Sequence, residues 1–374
     1  MRHRSRTTRP DLGLLQACLP SYRDDFVTEL LGRRPGTLLY CGDSHFDRTV
    51  TPSPAIAAQS LLLKNRFFAG RRLLWERGAV RAGIGPRSVV LEFNPRIINV
   101  WVTLAIRRLL QRRSILWGHA WPRAGVTART AFIRHLMAQL ADGILVYTAQ
   151  DRDQLAPLVR CRVWVAPNAV CSRRANNIVP GRAKNIIQIG RLVEAKRPLL
   201  TVEAWALVCD RLPGSQLVFV GTGPLKAEVM RVAGVMGIEE RVSVLGHVSD
   251  PSKLAVLFAD SFLSVSAGYA GLSLTQGFAH GVPALIADDE PHAPEIAVAT
   301  EMNSRTFRAL DPADMAREIM AIFQERDRWM LRRAQISAAT LDEYSVETMV
   351  DGFLSAACPS PAHALRHDPA RGVG

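Results

Sequence analysis

The chain has 374 residues, 48% of them hydrophobic and 22% charged; this excludes disorder as its main state and fits two domains better than a single core. No run approaches the roughly 18 apolar residues of a spanning helix, and the opening Met1-Arg2-His3-Arg4-Ser5-Arg6 is too charged to lead into a secretory h-region, so a reducing cytoplasm is expected. The net charge of +13 is unevenly spread: residues 1–175 carry 28 basic and 11 acidic side chains, or +17, and the remainder carries 19 and 23, or −4. The first half is expected to face something anionic, such as a phosphorylated acceptor or a membrane surface. Five of the 47 basic residues are lysine, a preference for arginine of the kind that genome composition produces as readily as chemistry does.

In chain order, strand-length apolar runs fall at 14–19, 37–41, 88–93, 114–118, 143–147 and 162–165, then at 185–189, 216–220, 242–245, 262–266 and 283–287. They alternate with amphipathic stretches and are too apolar to alternate faces, the pattern of parallel strands buried on both sides with helical crossovers. Residues 61–81 mix Leu62, Phe67, Phe68, Leu73 and Trp75 with Lys64, Arg66, Arg71, Arg72 and Arg77. They are read as a crossover helix of a composition that also suits an anionic bilayer. The joint is placed at 171–183, where Ser, Arg, Asn, Pro and Gly interrupt the apolar period. Helices are expected at 314–325 and 346–357, and 359–374 is expected to be a disordered tail. The predicted domains are therefore 1–175 and 176–358. Cys18, Cys41, Cys161, Cys171, Cys209 and Cys358 form no C-x-x-C pair and read as small core residues.

The second half carries the chemistry, at the carboxyl ends of its strands, where ligands of open α/β sheets bind. Ile189-Gly190-Arg191 leads through a short loop to Lys196, with Pro198 at a first helical position. Arginine offers a bidentate fork to phosphate oxygens and lysine a mobile point charge. Val220-Gly221-Thr222-Gly223-Pro224 is a turn permitting close backbone approach; Lys226 stands where a dinucleotide fingerprint needs its third glycine. The backbone of Gly246-His247-Val248 is placed to read a nucleobase edge. Gly271 and Leu272 open a short helix closed by Gly281, and its leading amides favour a phosphate. Asp288-Asp289-Glu290 reads as a solvated turn, and no metal is required. In the first half, Trp117-Gly118-His119 places His119 at a strand end, and Pro20-Ser21-Tyr22-Arg23 follows the first strand.

In this order and spacing, G-R-L-x-x-x-K, V-G-x-G-P, L-G-x-V and G-L-x-x-x-Q-x-x-A-x-G-V-P resemble the donor domain of family-4 retaining glycosyltransferases, over roughly residues 160–300. The resemblance implies a GT-B fold, with two doubly wound Rossmann-like parallel-sheet domains facing a central cleft where catalysis occurs. It assigns Arg191 and Lys196, with the amides at Gly271, Leu272 and Ser273, to the donor diphosphate, and adds Gly190, Gly221, Gly223, His247 and Val248 to the nucleotide-sugar site. His119 matches a histidine that touches the donor sugar, and Tyr22 and Arg23 fall among the acceptor loops. The family's two glutamates eight positions apart are replaced by Gly268 and Gln276, as in a divergent subgroup. A neutral amide at 276 still bonds a ribose diol, though less strongly, and Glu295 resembles a further acidic position that partly compensates. The expected activity is retaining hexosyl transfer to a lipid-linked or anionic glycan in surface polysaccharide assembly. The protein would be cytoplasmic and peripheral on an anionic membrane, with no cofactor and no nucleic-acid partner. The alternative is an inactive binding protein on the same fold.

Overall fold

A computed structural model describes residues 10–358, apart from 49, 123, 124, 126, 127, 129 and 176; the tail expected to be disordered, 359–374, lies outside the described residues. Two compact units emerge, Met1–Pro167 with Val346–Gly374, and Asn168–Ser345.

The first unit is built on an eight-stranded sheet of β1 (Leu12–Gln16), β2 (Leu38–Gly42), β3 (Leu61–Phe68), β4 (Leu73–Arg77), β5 (Ser88–Glu92), β6 (Arg113–Trp117), β7 (Gly143–Val146) and β8 (Arg162–Val165), in the order β4-β3-β2-β1-β5-β6-β7-β8. Only β3 and β4 pair antiparallel. Six of these strands coincide with the predicted apolar runs to within a few residues, and Leu14, Leu15, Val89, Val90, Ile115 and Leu116 are buried in them. The chain reverses its direction of growth between β1 and β5, which opens a ligand crevice at their carboxyl ends.

Two expectations are corrected here. The helix predicted at 61–81 is the hairpin β3–β4. Along β3, Leu63 is buried and Asn65 and Phe67 half-buried, while Lys64, Arg66 and Phe68 are exposed, a period of two. At the turn, Ala69, Gly70 and Arg71 have φ of 49°, 63° and 64°, which no right-handed helix holds. The second correction concerns the predicted boundaries at 175/176 and 358. The chain leaves the first unit at Pro167 and returns to it at Val346. The helix Val346–Ala357 sets its Phe353 ring 5.4 Å from both Phe26 and Trp117. Gly352 makes this possible, because a Cβ there would overlap Val165 O.

The second unit holds β9 (Asn185–Ile189), β10 (Leu217–Val220), β11 (Val242–Val244), β12 (Ser261–Ser266), β13 (Ala284–Ala287) and β14 (Ser304–Phe307), all parallel in the order β11-β10-β9-β12-β13-β14. Its core gathers Trp205, Phe219, Phe262, Phe278 and Phe307. β14 is an edge strand whose Ser-Arg-Thr-Phe sequence carries no apolar run to announce it. Here the reversal lies between β9 and β12, so loops after these two strands define the crevice. Among the described residues no helix is long and apolar enough to cross a membrane.

Candidate functional site

In the second unit, β9 runs into Gly190 at φ 132°, then Arg191, and the one-turn helix Glu194–Lys196. Two glycines of the next loop let it lie against this one. A Cβ on Gly221, at φ 150°, would overlap Gly190 O, and one on Gly223 would overlap Leu192 O. The contact is sealed by Leu192 N donating to Thr222 O at 2.9 Å and Leu225 N to Leu192 O at 3.1 Å. Gly221 N in turn donates to Gly246 O at 2.7 Å, which ties in the loop carrying exposed His247 and half-buried Val248. The three predicted glycine loops therefore form one continuous edge.

The fourth loop joins it from β12. Lys196 Nζ donates to Tyr269 O at 2.6 Å, and Tyr269 N donates to Ala195 O at 2.7 Å. On the other side, Ala270 N donates to His292 Nδ1 at 3.0 Å, His292 Nε2 bonds Ala287 O at 2.8 Å, and Ala293 N donates to Ala270 O at 2.9 Å. This double clamp fixes Gly271 as the N-cap of the helix Leu272–Ala279, which no side chain caps. Its leading amides and dipole thus stand two residues from the carbonyl that holds Lys196, an arrangement suited to a phosphate. Gln188 supports the turn from below through Nε2 to Lys196 O at 2.9 Å, while Thr201 Oγ1 donates to Gln188 Oε1 at 2.6 Å. Arg197 completes the turn in the left-handed region at φ 47°, held by an ion pair with Glu290.

Gly268 is locked by its surroundings. A Cβ there would stand 2.5 Å from Ala195 O and 3.1 Å from Arg197 Cγ, so this loop leaves no room for the family's first glutamate. Gln276 and Ser273 are half-buried on the helix. Glu295, 2% exposed in the turn Pro294–Val298, accepts from Asn168 Nδ2; its Oε2 makes no hydrogen bond and lies 3.9 Å from where a Gly271 Cβ would be. Asp288 and Asp289 are exposed, as expected of a solvated turn, while Asp288 Oδ1 accepts from Ala309 N at 2.8 Å and Glu290 holds Arg197. Among the described residues no three His, Cys, Asp or Glu converge to hold a metal. The unit also has a cavity of about 810 Å³ lined by Ile286, Thr306, Glu325 and Trp329, but Arg191, Lys196 and Gly271 do not line it.

In the first unit a cavity of about 330 Å³ opens at the carboxyl ends of β1, β5, β6 and β7, and its walls include Tyr22, Arg23, Glu92, Trp117, His119 and Arg134. It brings together the three residues predicted in this half. His119 is exposed, its ring edge-on to Tyr147 at 4.8 Å. Arg23 is 6% exposed, with its guanidinium carbon 5.2 Å from the Trp117 ring and 5.3 Å from that of Tyr22. Arg134 donates to Phe93 O at 2.6 Å and His119 O at 2.7 Å, which fixes the loop bearing His119; burial lowers the Arg134 pKa. Cys18 also lines the cavity, but burial, then Cys41 and Glu92, push its thiol up to about 12, so it is no nucleophile.

Sequence reasoning missed Tyr269, His292, Trp117, Glu92 and Arg134. His292 stands five residues beyond β13 and Trp117 closes β6, so both lay at strand ends of the kind that drew attention to Lys196 and His119.

Residues 183–325 match the family described as glycosyl transferases group 1. A curated relative, the GDP-mannose-dependent alpha-(1-6)-phosphatidylinositol dimannoside mannosyltransferase of Mycobacterium tuberculosis, is 28% identical over 123 residues, 32% of this chain and 31% of that enzyme; the match thus spans about a third of the relative's length. Among solved structures, Anabaena HepE in complex with UDP superposes with a TM-score of 0.69 at 11% identity over 93% of this chain and 99% of that one. Sucrose-phosphate synthase from Thermosynechococcus elongatus gives 0.62 at 15% identity over 92% and 97%. The phosphate-suited loops of the second unit lie inside the segment 183–325 that matches the glycosyl transferases group 1, and the chain as a whole has the GT-B fold of two Rossmann-like units.

Proposed function

We propose that the protein is a retaining hexosyl-type glycosyltransferase that moves a sugar from a nucleoside-diphosphate sugar to a hydroxyl of a lipid-linked or anionic glycan acceptor in surface polysaccharide assembly. The observation that carries this reading is the bond from Lys196 Nζ to Tyr269 O, two residues ahead of the uncapped helix start at Gly271. Arg191, Lys196 and the amides of Gly271, Leu272 and Ser273 bind the donor diphosphate and stabilise the charge that develops on it as the glycosidic bond breaks. Gly190, Gly221, Gly223, His247 and Val248 flank the nucleoside, and Gln276 bonds the ribose as a neutral amide. Glu295, buried and bonded to Asn168, holds the segment beside Gly271 in place. His119 approaches the donor sugar, and Tyr22 and Arg23 receive the acceptor, whose hydroxyl attacks the same face that the diphosphate leaves. No metal, cofactor or nucleic acid is part of this scheme.

Work at the cytoplasmic face of an anionic membrane is supported by the hairpin β3–β4. Its register sets Lys64 opposite Arg77, Arg66 opposite Trp75 and Phe68 opposite Leu73, a face with three cations and no carboxylate. Like charges placed directly opposite each other destabilise a hairpin, and an anionic surface relieves that repulsion. The mycobacterial relative's name places a phosphatidylinositol-linked glycan as its acceptor.

Thermal shift of the full chain against UDP, GDP, dTDP and CDP tests the donor site. A nucleotide at 100 times its Kd adds about 2.7 kcal/mol; one of the four is expected to do so, and Lys196→Ala to abolish most of the shift. Stabilisation by none of them overturns the reading. The rival, a nucleotide-binding protein without turnover, is favoured by the closed contact of Gly268 with Ala195 O. Binding without transfer across donor sugars and glycan acceptors would identify it.

A further inference from the structure

The lining of the first unit's cavity includes an enclosed guanidinium and two buried N–H donors without acceptors. Arg23 is almost fully enclosed, yet among the described residues its side chain meets the rings of Tyr22, Trp117 and Tyr147 and the sulfur of Met349, 3.3 Å from Nη1. Trp117 Nε1 and Gln16 Nε2, on two other lining residues, are buried without any acceptor. The one carboxylate in the lining, Glu92, is already engaged by Ala17 N and Asn94 Nδ2, both at 3.0 Å. A buried guanidinium without a carboxylate and two orphaned N–H donors are each unfavourable in an empty site. All three are relieved by one kind of guest, an oxyanion. The half-exposed Tyr22 ring at the rim adds an apolar face of the kind on which a sugar ring packs.

We infer that this cavity is a subsite for a sugar bearing an ionised acid group, its oxyanion received by Arg23, Trp117 Nε1 and Gln16 Nε2. The inference rests on the proposed transferase reading, and it narrows the acceptor class: the acceptor carries an acid on the residue seated here. The acid is the carboxylate of a uronic acid or a phosphate ester, both of which offer the oxygens these donors lack.

The test measures binding by calorimetry on the full chain carrying Lys196→Ala, so that the phosphate loop of the second unit does not compete. The probes are methyl glucuronide, glucose 6-phosphate, methyl glucoside and inorganic phosphate. At least one acidic sugar is expected to bind about tenfold or more tighter than methyl glucoside, as the loss of a charge-assisted hydrogen bond dictates, and which one it is tells carboxylate from phosphate ester. Trp117→Phe keeps a ring in place and removes only the donor, and Gln16→Leu does the same for the amide. Each is expected to weaken the acidic sugar several-fold and leave methyl glucoside unchanged. These two variants keep the test decisive if Arg23→Gln fails to fold. Equal binding of the neutral glucoside overturns the inference, as does inorganic phosphate binding as tightly as the sugar phosphate, or no binding of either acidic sugar. The nucleotide thermal shift, run separately on the unsubstituted chain, separates the two claims. Nucleotide binding without acidic-sugar binding sinks the subsite alone, and the converse sinks the transferase reading while leaving the subsite.

Discussion

Gly221 and Gly223 hold the strand-end loops of the second unit together by what they lack. At Gly221 a side chain meets both a forbidden φ of 150° and the carbonyl of Gly190, whereas Gly246, at φ 77°, has nothing nearer a hypothetical Cβ than Thr222 Cγ2 at 4.0 Å. Gly221→Ala is therefore expected to destabilise the second unit by about 3 kcal/mol or more, and Gly246→Ala by only about 1 kcal/mol, as read from urea midpoints. The same reasoning applies to Gly268. Restoring the family's carboxylate by Gly268→Glu would force the 268–270 loop off Ala195 O and break the Tyr269 clamp, so it is expected to lower stability and weaken nucleotide binding. A gain in activity from that change would show that the loop opens more readily than its packing implies. The glycine loops, Arg191 and Lys196 were legible in the sequence because their spacing follows strand ends. The clamp on the 268–270 loop was not, since it is made by backbone carbonyls and by His292, which lies 22 residues from its partner Ala270.

Among the elements, the parallel strands announced themselves through uninterrupted apolar runs, and β3–β4 did not. Its residues alternate imperfectly, and the deciding signal is a three-residue turn at positive φ in Ala69-Gly70-Arg71, two of which are residues not usually found there. The hairpin changes how this segment presents its cations. A helix would have spread its cations around a cylinder, but the hairpin sets Lys64, Arg66 and Arg77 on one face beside Phe68 and Leu73. Each cation near an anionic bilayer contributes about 1 kcal/mol, so reversing two charges in Lys64→Glu/Arg66→Glu is expected to cut co-sedimentation with phosphatidylglycerol vesicles by about tenfold or more. Phe68→Ser/Leu73→Ser should weaken it further, and raised salt should release the unsubstituted chain, as screening over about 8 to 10 Å requires. The nucleotide thermal shift of these variants is expected to stay unchanged. Equal sedimentation of the reversed and unsubstituted chains would remove the hairpin from the membrane account.

At the scale of the whole molecule, the two units carry buried titrations of opposite sign. In the first, Glu76 on β4 is fully buried with neither carboxyl oxygen bonded, and burial, helped by the charge of Glu92, raises its pKa from 4.5 to about 8. Between those values the folded unit keeps a proton that the unfolded chain has released, so its stability is highest below the lower value and falls as pH rises towards the upper one. Asp25, raised by burial, then Asp24 and Glu347, acts in the same sense. In the second unit His280 is stacked on Phe258 at 4.6 Å and bonded through Nδ1 to Asn177 O. Burial lowers its pKa against that bond, and the nearby Arg333 lowers it further. Its contribution is present above 6.5 and is lost as pH falls through the lowered value. Two units with separate cores are not expected to melt as one, so scanning calorimetry from pH 5 to pH 8 should move one transition down and the other up. Glu76→Gln removes the titration while keeping the shape, and is expected to flatten the transition that falls with pH, leaving it more stable than the unsubstituted unit at pH 8. His280→Gln should flatten the other. If Glu76→Gln leaves both pH slopes intact, Glu76 is solvated or paired in solution, and the buried neutral acid is not what makes the first unit sensitive to alkali.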